Sequence, residues 1–307
     1  MTKNILVTGN EGFIGSNFAL QAKKKKYNVI GLDWKKVNWD SSDYKNYLNK
    51  VTKDIKLESV VHFGAIASTS VAVRQLLRGF NIEALQVIAD FCALRNIPLV
   101  FASSAAIYGN GDNYLSPYAN SKVQGEFILN NTPNLKFQTL RLFNTYGFNE
   151  LQKQGMKSFI SDMIISSLQN KKIFIWKFDN MESGLQSRDF IHVSDVNSII
   201  LKIIFSDKYT NQTLDLGTGK SYKFIDLARF IASIDNYITI EFTEPPVVYD
   251  KRFYQKYTCA DISWLERLQI EIIPSDPYKS IPILINQYKK FLNSNIFGID
   301  YLNHRYR

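Results

Sequence analysis

The sequence predicts an α/β protein built on a doubly wound parallel sheet, followed by a smaller C-terminal α/β region. Two observations carry this. From residue 3 to about residue 145, short apolar runs alternate with segments of helical character, the pattern of a parallel sheet covered on both faces. The first of those runs, ending at Ile5, Leu6, Val7 and Thr8, leads into Gly9, Gly12 and Gly15, so a strand turns through a glycine-rich bend into a helix.

Taken in order, the first strand spans Asn4 to Thr8 and the first helix Gly12 to Lys25. A strand from Asn28 to Leu32 precedes a helix from Ser41 to Thr52, and a strand from Ser59 to Phe63 precedes a helix from Arg78 to Arg95. Pro98 to Ala102, Tyr118 to Asn131 and Phe137 to Leu142 then read as strand, helix and strand. Beyond about residue 150 the alternation weakens, and Gly184, Pro245, Pro246, Pro274, Pro277 and Pro282 punctuate shorter elements. Thr213 to Gly217 resumes the earlier character, entering a turn at Gly217 and Gly219 before a helix from Phe224 to Ile234.

Composition excludes several classes. The formal charge of +9 is spread along the chain except at Lys23 to Lys26, where a solvated helix end suits the helix dipole, and no nucleic-acid-binding module is present. No run approaches the roughly 20 uncharged apolar residues that span a bilayer, and the N-terminus enters a strand directly, so a cytoplasmic protein without membrane association is expected. Cys92 and Cys259 stand far apart, and His62, His192 and His304 are scattered, so no metal site is expected.

Glycines after a strand let the backbone approach a pyrophosphate, and the helix start adds unpaired N-H groups and positive dipole. The turn Gly9, Asn10, Glu11, Gly12, Phe13, Ile14 and Gly15 is therefore a candidate dinucleotide cradle of a Rossmann-like domain. Asp33 ends the second strand about twenty residues on, where a carboxylate takes the ribose hydroxyls and favours NAD. Trp34, Lys35 and Lys36 follow it, and lysines there would accept a 2'-phosphate, so NAD and NADP both remain open. Gly64 and Ala65 after the third strand would let the chain pass close to the cofactor, and Asn81 would support it from the next helix. Residues 1 to 150, joined by part of 186 to 235, would form the NAD(P)-binding domain, and 151 to 307 the substrate-binding region.

Ser103 and Ser104 come where the fourth strand ends, at the sheet edge where ligands of open parallel sheets bind. Tyr118 and Lys122 are four residues apart and so share one face of a helix. A phenol with an ordinary pKa of about 10 serves as a base near neutrality only beside positive charge, which Lys122 and an oxidised nicotinamide would supply.

With these residues in this order, the chain resembles the extended short-chain dehydrogenase/reductase superfamily, the nucleotide-sugar epimerases and dehydratases. The resemblance runs nearly the whole length, through Arg141 to Gly147 (RLFNTYG), Arg188 to Val196 (RDFIHVSDV) and Leu216 to Gly219 (LGTG). It implies Ser104, Tyr118 and Lys122 as catalytic residues. Sugar 4,6-dehydratases of this pattern carry an Asp-Glu pair after the serine, whereas this chain has Ala105 and Ala106, which disfavours dehydration.

Within the superfamily the chain resembles in particular the ADP-glycero-manno-heptose 6-epimerase family. There a lysine after the FNxYG segment is the second acid/base, and Lys153, Met156 and Ser158 hold the family's spacing after Asn144, Tyr146 and Gly147. Tyr254, Gln255, Tyr257, Thr258, Ala260 and Asp261 resemble that family's substrate-binding stretch, with Tyr254 at the substrate-contacting position. Arg188 is the candidate for the substrate diphosphate, since a guanidinium matches phosphate geometry bidentately, with Arg252 assisting and Asn144 also touching substrate. Asp189 and His192 read as structural.

Three departures fall on sugar recognition: Gly155 replaces a substrate-contacting serine, Asp162 replaces a histidine, and the loop between Tyr108 and Tyr118 is short. The implied ligands are NAD or NADP and a nucleotide diphosphate sugar. A 4-epimerase and a net nucleotide-sugar dehydrogenase or reductase remain alternatives, as does a dinucleotide-binding regulatory protein. The resemblance also implies a homodimer or higher homo-oligomer, through helices Arg78 to Arg95 and Tyr118 to Asn131.

Overall fold

The computed structural model describes residues 3–33, 41–67, 77–110, 115–178, 181–246 and 251–293. Its centre is a six-stranded parallel sheet made of β1 (Asn4–Thr8), β2 (Asn28–Leu32), β3 (Leu57–His62), β4 (Leu99–Ser104), β5 (Phe137–Leu142) and β10 (Thr213–Leu216). The spatial order is β10-β5-β4-β3-β1-β2. The chain leaves β1 first toward β2 and afterwards toward β3, so the order reverses beside β1, and the crevice at the carboxyl ends of β1 and β3 is the binding position of such sheets.

The centre of β1 is apolar without interruption because both faces of the sheet are covered. Ile5, Leu6 and Val7 are all fully buried, yet they serve different layers. Ile5 and Val7 pack with α1 (Phe13–Lys24), α6 (Val193–Phe205) and the short α8 (Ser263–Arg267), through Phe18, Ala22, Val196, Ile200 and Trp264. Leu6 faces the opposite layer of α2 (Ser41–Val51), α3 (Ala84–Arg95) and α4 (Pro117–Asn131), with Leu48, Leu85, Ile88 and Leu129. The period-two direction of strand side chains separates the two layers.

A further core lies after β5. The strands β6 (Asn144–Tyr146) and β9 (Phe190–His192) pair in parallel, as do β7 (Lys172–Trp176) and β12 (Thr239–Thr243), while β8 (Ser187–Arg188) runs antiparallel to β11 (Tyr222–Lys223). Tyr146, Ile160, Ile173, Phe224, Leu227, Leu284 and Tyr288 bind these to α5 (Phe159–Asn170), α7 (Phe224–Ala232) and α9 (Pro277–Asn293).

The first half follows the expected elements within a few residues, with two differences. Expected helix 78–95 begins as a π-helical turn, Arg78–Glu83, before α3, and β4 continues through Ser103 and Ser104 because both pair with β5. In the second half, Pro277 opens α9 instead of ending an element, and Pro282 lies inside that helix. Ile281, Leu284, Ile285 and Tyr288 are buried at helical spacing there, so tertiary packing outweighs the hydrogen bond lost at Pro282. Among the described residues no helix is long and apolar enough to cross a membrane, and no cluster of three metal-ligating side chains occurs.

Candidate active site

The glycine turn after β1 is built by close approach. Gly9 has φ +68°, and a Cβ there would stand 2.7 Å from the Gly64 nitrogen at the end of β3. A Cβ on Gly15 would stand 2.2 Å from the Gly9 carbonyl oxygen, so no side chain fits where α1 crosses the turn. Gly12 caps α1 without a side-chain hydrogen bond, and the first turn of the helix carries no acidic residue. Unpaired N-H groups and the positive dipole end therefore face outward at the crevice. Ile14 packs into the core beneath.

Asp33 is 4% exposed, and its Oδ2 accepts from the Glu11 backbone N-H at 3.1 Å. Its Oδ1 and the Oδ1 of Asn10 are buried and find no hydrogen-bond partner among the described residues. A buried acceptor left open is costly, and beside a glycine cradle it fits the hydroxyls of a dinucleotide ribose. Trp34, Lys35 and Lys36 lie outside the described residues. Asn81 is buried and clamps the chain after Gly64 and Ala65, accepting from Ile66 N at 2.8 Å while donating to Ile66 O and to Ser121 Oγ. The clamp ties this wall of the crevice to α4, and it stands on the π-helical turn, a distortion frequent at functional sites.

Ser104 ends β4 and caps a short 3-10 turn, Ala105–Tyr108, its Oγ accepting from Ala106 N at 3.1 Å. Its hydroxyl also lies close enough to the Tyr118 phenol to act on it. Tyr118 sits in the first turn of α4, which Pro117 starts and Ser116 caps. Both features favour a helix start, so the sequence places the phenol locally. Lys122 lies one turn on, 4% exposed, with Nζ donating to the Ala102 carbonyl at 2.7 Å and lying 5.8 Å from the Tyr118 ring centre. Gly125 brings helix and sheet together, since a Cβ there would stand 2.7 Å from the Phe101 ring.

Electrostatics at this site departs from expectation. Burial pushes the Tyr118 phenol up, with the Ser104 hydroxyl opposing it, so in the protein alone Lys122 does not produce the expected lowering. Burial also brings Lys122 itself from the ordinary 10.5 down to about 7, against the opposing charge of Glu126. Beneath it His62, fully buried and 2.7 Å from Thr8 Oγ1, is held down at about 3 by burial and then by Lys122.

A buried lysine costs stability. Between pH 7 and 10.5 the unfolded chain keeps a proton at Lys122 that the folded chain releases, so stability from this group rises with pH across that window. Lys122→Met is expected to raise the thermal midpoint by a few degrees at pH 7 and to remove that part of the slope. Thermal melts at several pH values check this; a lower midpoint with an unchanged slope contradicts it.

Arg188 and Tyr254 meet on the far side. Arg188 is 6% exposed, and its guanidinium lies 4.9 Å from the Tyr254 ring centre, while the Phe178 ring lies 4.2 Å from the same ring. Arg252 is exposed and lies over Phe253. Gln255 Nε2 donates to the Ala105 carbonyl at 2.9 Å, and Asn110 Nδ2 to the Arg252 carbonyl at 2.6 Å. These bonds hold the segment around Tyr254 against the turn after Ser104. Asn144 Nδ2 donates to the Asp189 carbonyl and to Thr258 Oγ1, which fastens the same segment to β6. Asp189 is fully buried and accepts from Thr218, Gly219 and Ala260, while His192 caps α6.

Lys153 comes beside Phe13 at the start of α1, on the short 3-10 segment Glu150–Met156. Its Nζ lies 3.6 Å from Glu150 Oε1 and 5.1 Å from the centre of the Phe13 ring. Asn17 donates to Phe148 O and Asn149 to Ser16 Oγ, pinning the segment's approach to α1. Asp162 pairs with Lys157 at 3.9 Å. Sequence reasoning missed His62, Glu150 and the buried pair Glu126–Arg141, which holds Ser103 Oγ at 2.6 Å. Their roles come from burial and from which side chains close over them, which the spacing of the motifs does not show.

A family model described as the NAD dependent epimerase/dehydratase family matches residues 5–217, from β1 through the turn after β10. The chain belongs to this family. A curated relative, the ADP-L-glycero-D-manno-heptose-6-epimerase of Brachyspira hyodysenteriae, is 28% identical over 327 aligned residues, covering 95% of this chain and 98% of the relative. Among solved structures, the ADP-L-glycero-D-manno-heptose-6-epimerase of Helicobacter pylori superposes with a TM-score of 0.76 at 21% identity, covering 95% of this chain and 97% of the other. The UDP-glucose 4-epimerase of Thermotoga maritima, solved with UDP-glucose, gives 0.76 at 21% identity, covering 94% and 99%. The two structures share the fold of this epimerase/dehydratase family member.

Proposed function

We propose that this family member is an NAD(P)-dependent nucleotide-sugar epimerase that inverts C6 of a nucleotide diphosphate heptose. The observation that carries the proposal is the meeting of Ser104 and the buried Tyr118 phenol at the carboxyl end of β4, with buried Lys122 one helical turn on and the glycine cradle at the neighbouring strand ends. Two relatives named as heptose 6-epimerases support the sugar. The dinucleotide would lie on residues 1–150 with part of 186–235, and the sugar against 151–307.

Gly9, Gly12, Gly15 and the helix start would hold the pyrophosphate, with Asn10, Glu11, Phe13 and Ile14 around it, Asp33 taking the adenosine ribose, and Gly64, Ala65 and Asn81 lining the inner wall. When bound, the dinucleotide supplies the hydride acceptor and donor. Ser104 would bind the reacting oxygen, and Tyr118 would exchange the proton at that oxygen for one sugar orientation, with Lys122 setting its charge environment. Lys153 would exchange it for the other orientation, because inversion presents the ketone's opposite face. Arg188 would clamp the diphosphate, with Tyr254 beside it and Arg252 and Asn144 at the edges of the sugar site.

The test is incubation with a panel of ADP-, GDP-, UDP- and dTDP-sugars followed by NMR. Inversion at C6 of the heptose, with the cofactor recycled, is the expected result. Inversion at C4 of a hexose would move the assignment to a 4-epimerase, stoichiometric reduced cofactor to a dehydrogenase, and tight cofactor binding with no turnover of any sugar to a regulatory protein.

A further inference from the structure

Lysine is a poor candidate for a fixed acid/base unless something fixes it, since a charged head on a flexible four-carbon stem samples many positions. Lys153 is held on a short 3-10 segment with no long helix to orient it. Beneath it lies Glu150, with a fully buried side chain. A buried carboxylate needs partners on both oxygens, and Glu150 has them. Oε1 accepts from Ser158 N at 2.5 Å, while Oε2 accepts from Ser158 Oγ at 2.8 Å and Ser161 Oγ at 2.5 Å.

Three of these four contacts are neutral donors at the start of α5. The fourth is Lys153, the one cation within 4.0 Å of Glu150 among the described residues. Ser161 Oγ lies 2.9 Å from the Tyr288 hydroxyl, which donates to the Gly147 carbonyl at 3.1 Å, so both ends of the loop are tied to one buried cluster. The Tyr288 phenol is pushed up by burial and next by the charge of Glu150. The same geometry sets the ammonium over the Phe13 ring, at the mouth of the glycine cradle.

We infer that Glu150 is the positioning residue of Lys153: its buried negative charge keeps the ammonium at the cradle mouth while its hydrogen bonds from Ser158 and Ser161 fix the loop that carries it. The inference rests on the proposed role of Lys153 as second acid/base. Anchoring the loop alone would need only an acceptor of that shape. Holding Lys153 needs the charge.

Glu150→Gln separates the two requirements, because the amide keeps an acceptor oxygen and the volume while losing the charge. Expected are a fall in kcat of about tenfold or more with KM within about twofold, unchanged cofactor binding, and faster acetylation of Lys153 by acetic anhydride in the cofactor-free protein, read by mass spectrometry. In a cycle with Lys153→Met, the double variant should be no slower than Lys153→Met alone. Wild-type kcat in Glu150→Gln, unchanged acetylation, or losses that add in the double variant would overturn the inference. Should the Gln variant fail to fold, Glu150→Asp keeps the charge but shortens its reach; faster acetylation of Lys153 there supports the inference and an unchanged rate refutes it. Wild-type turnover in Lys153→Met would instead remove the acid/base reading of Lys153, and the acetylation result would still decide whether Glu150 holds it.

Discussion

Tyr118→Phe is expected to lower kcat by at least about a thousandfold, a loss of about 4 kcal/mol of transition-state stabilisation, while the cofactor binds as in the wild type. The substitution deletes one hydroxyl oxygen at the start of α4. What disappears is the hydroxyl beside Ser104, the group proposed to exchange a proton with the sugar oxygen. The helix start survives, because Pro117 and the Ser116 cap act on backbone groups that the phenol does not touch. Because burial pushes the Tyr118 phenol up in the protein alone, the hydroxyl is held protonated until substrate and cofactor change its surroundings. Initial rates by NMR together with a fluorescence titration of the cofactor separate chemistry from binding. A variant that turns over normally would reduce Tyr118 to a packing residue.

Lys153→Met is expected to slow inversion by about a hundredfold or more, the ordinary range for removal of a general acid or base. Methionine keeps the apolar stem over Phe13 and leaves Glu150 with its three donors from Ser158 and Ser161, so the fold and cofactor affinity should stay close to wild type. The two variants should also differ in kind. With Tyr118 intact, one epimer can still be oxidised, so reduced cofactor should form slowly from one epimer and not from the other. Presenting each epimer separately and following nicotinamide absorbance tests this, and equal behaviour of the two epimers would refute two-sided proton handling.

The legible parts of the site are those fixed by local geometry. Gly9, Gly12 and Gly15 could be read because a strand, a tight turn and a helix start are contiguous, and the structure brings Gly9 against Gly64 through the pairing of β1 with β3. Tyr118 and Lys122 could be placed on one helix face because that periodicity belongs to the helix itself. Arg188 and Tyr254 were marked out by resemblance, and the structure puts the guanidinium on the ring. Arg252, a further candidate, is exposed and lies over Phe253.

What stayed hidden depends on long-range contact or on burial. Glu150 lies between Gly147 and Lys153 without a role of its own in the spacing; its meaning comes from Ser158, Ser161 and Tyr288 closing over it. His62 looked like one of three scattered histidines, and only the pairing of β3 between β1 and β4 sets it beside Thr8 and under Lys122.

By itself the sequence determined the alternating α/β architecture, the glycine cradle, and the serine, tyrosine and lysine of the site, because each is written in spacing along a few turns or one strand. The tertiary structure alone decided the charge states and the company these residues keep. Desolvation of Tyr118 and Lys122, and the seating of Lys153 between Glu150 and Phe13, depend on how much water and which distant side chains surround a group, and no local period encodes either.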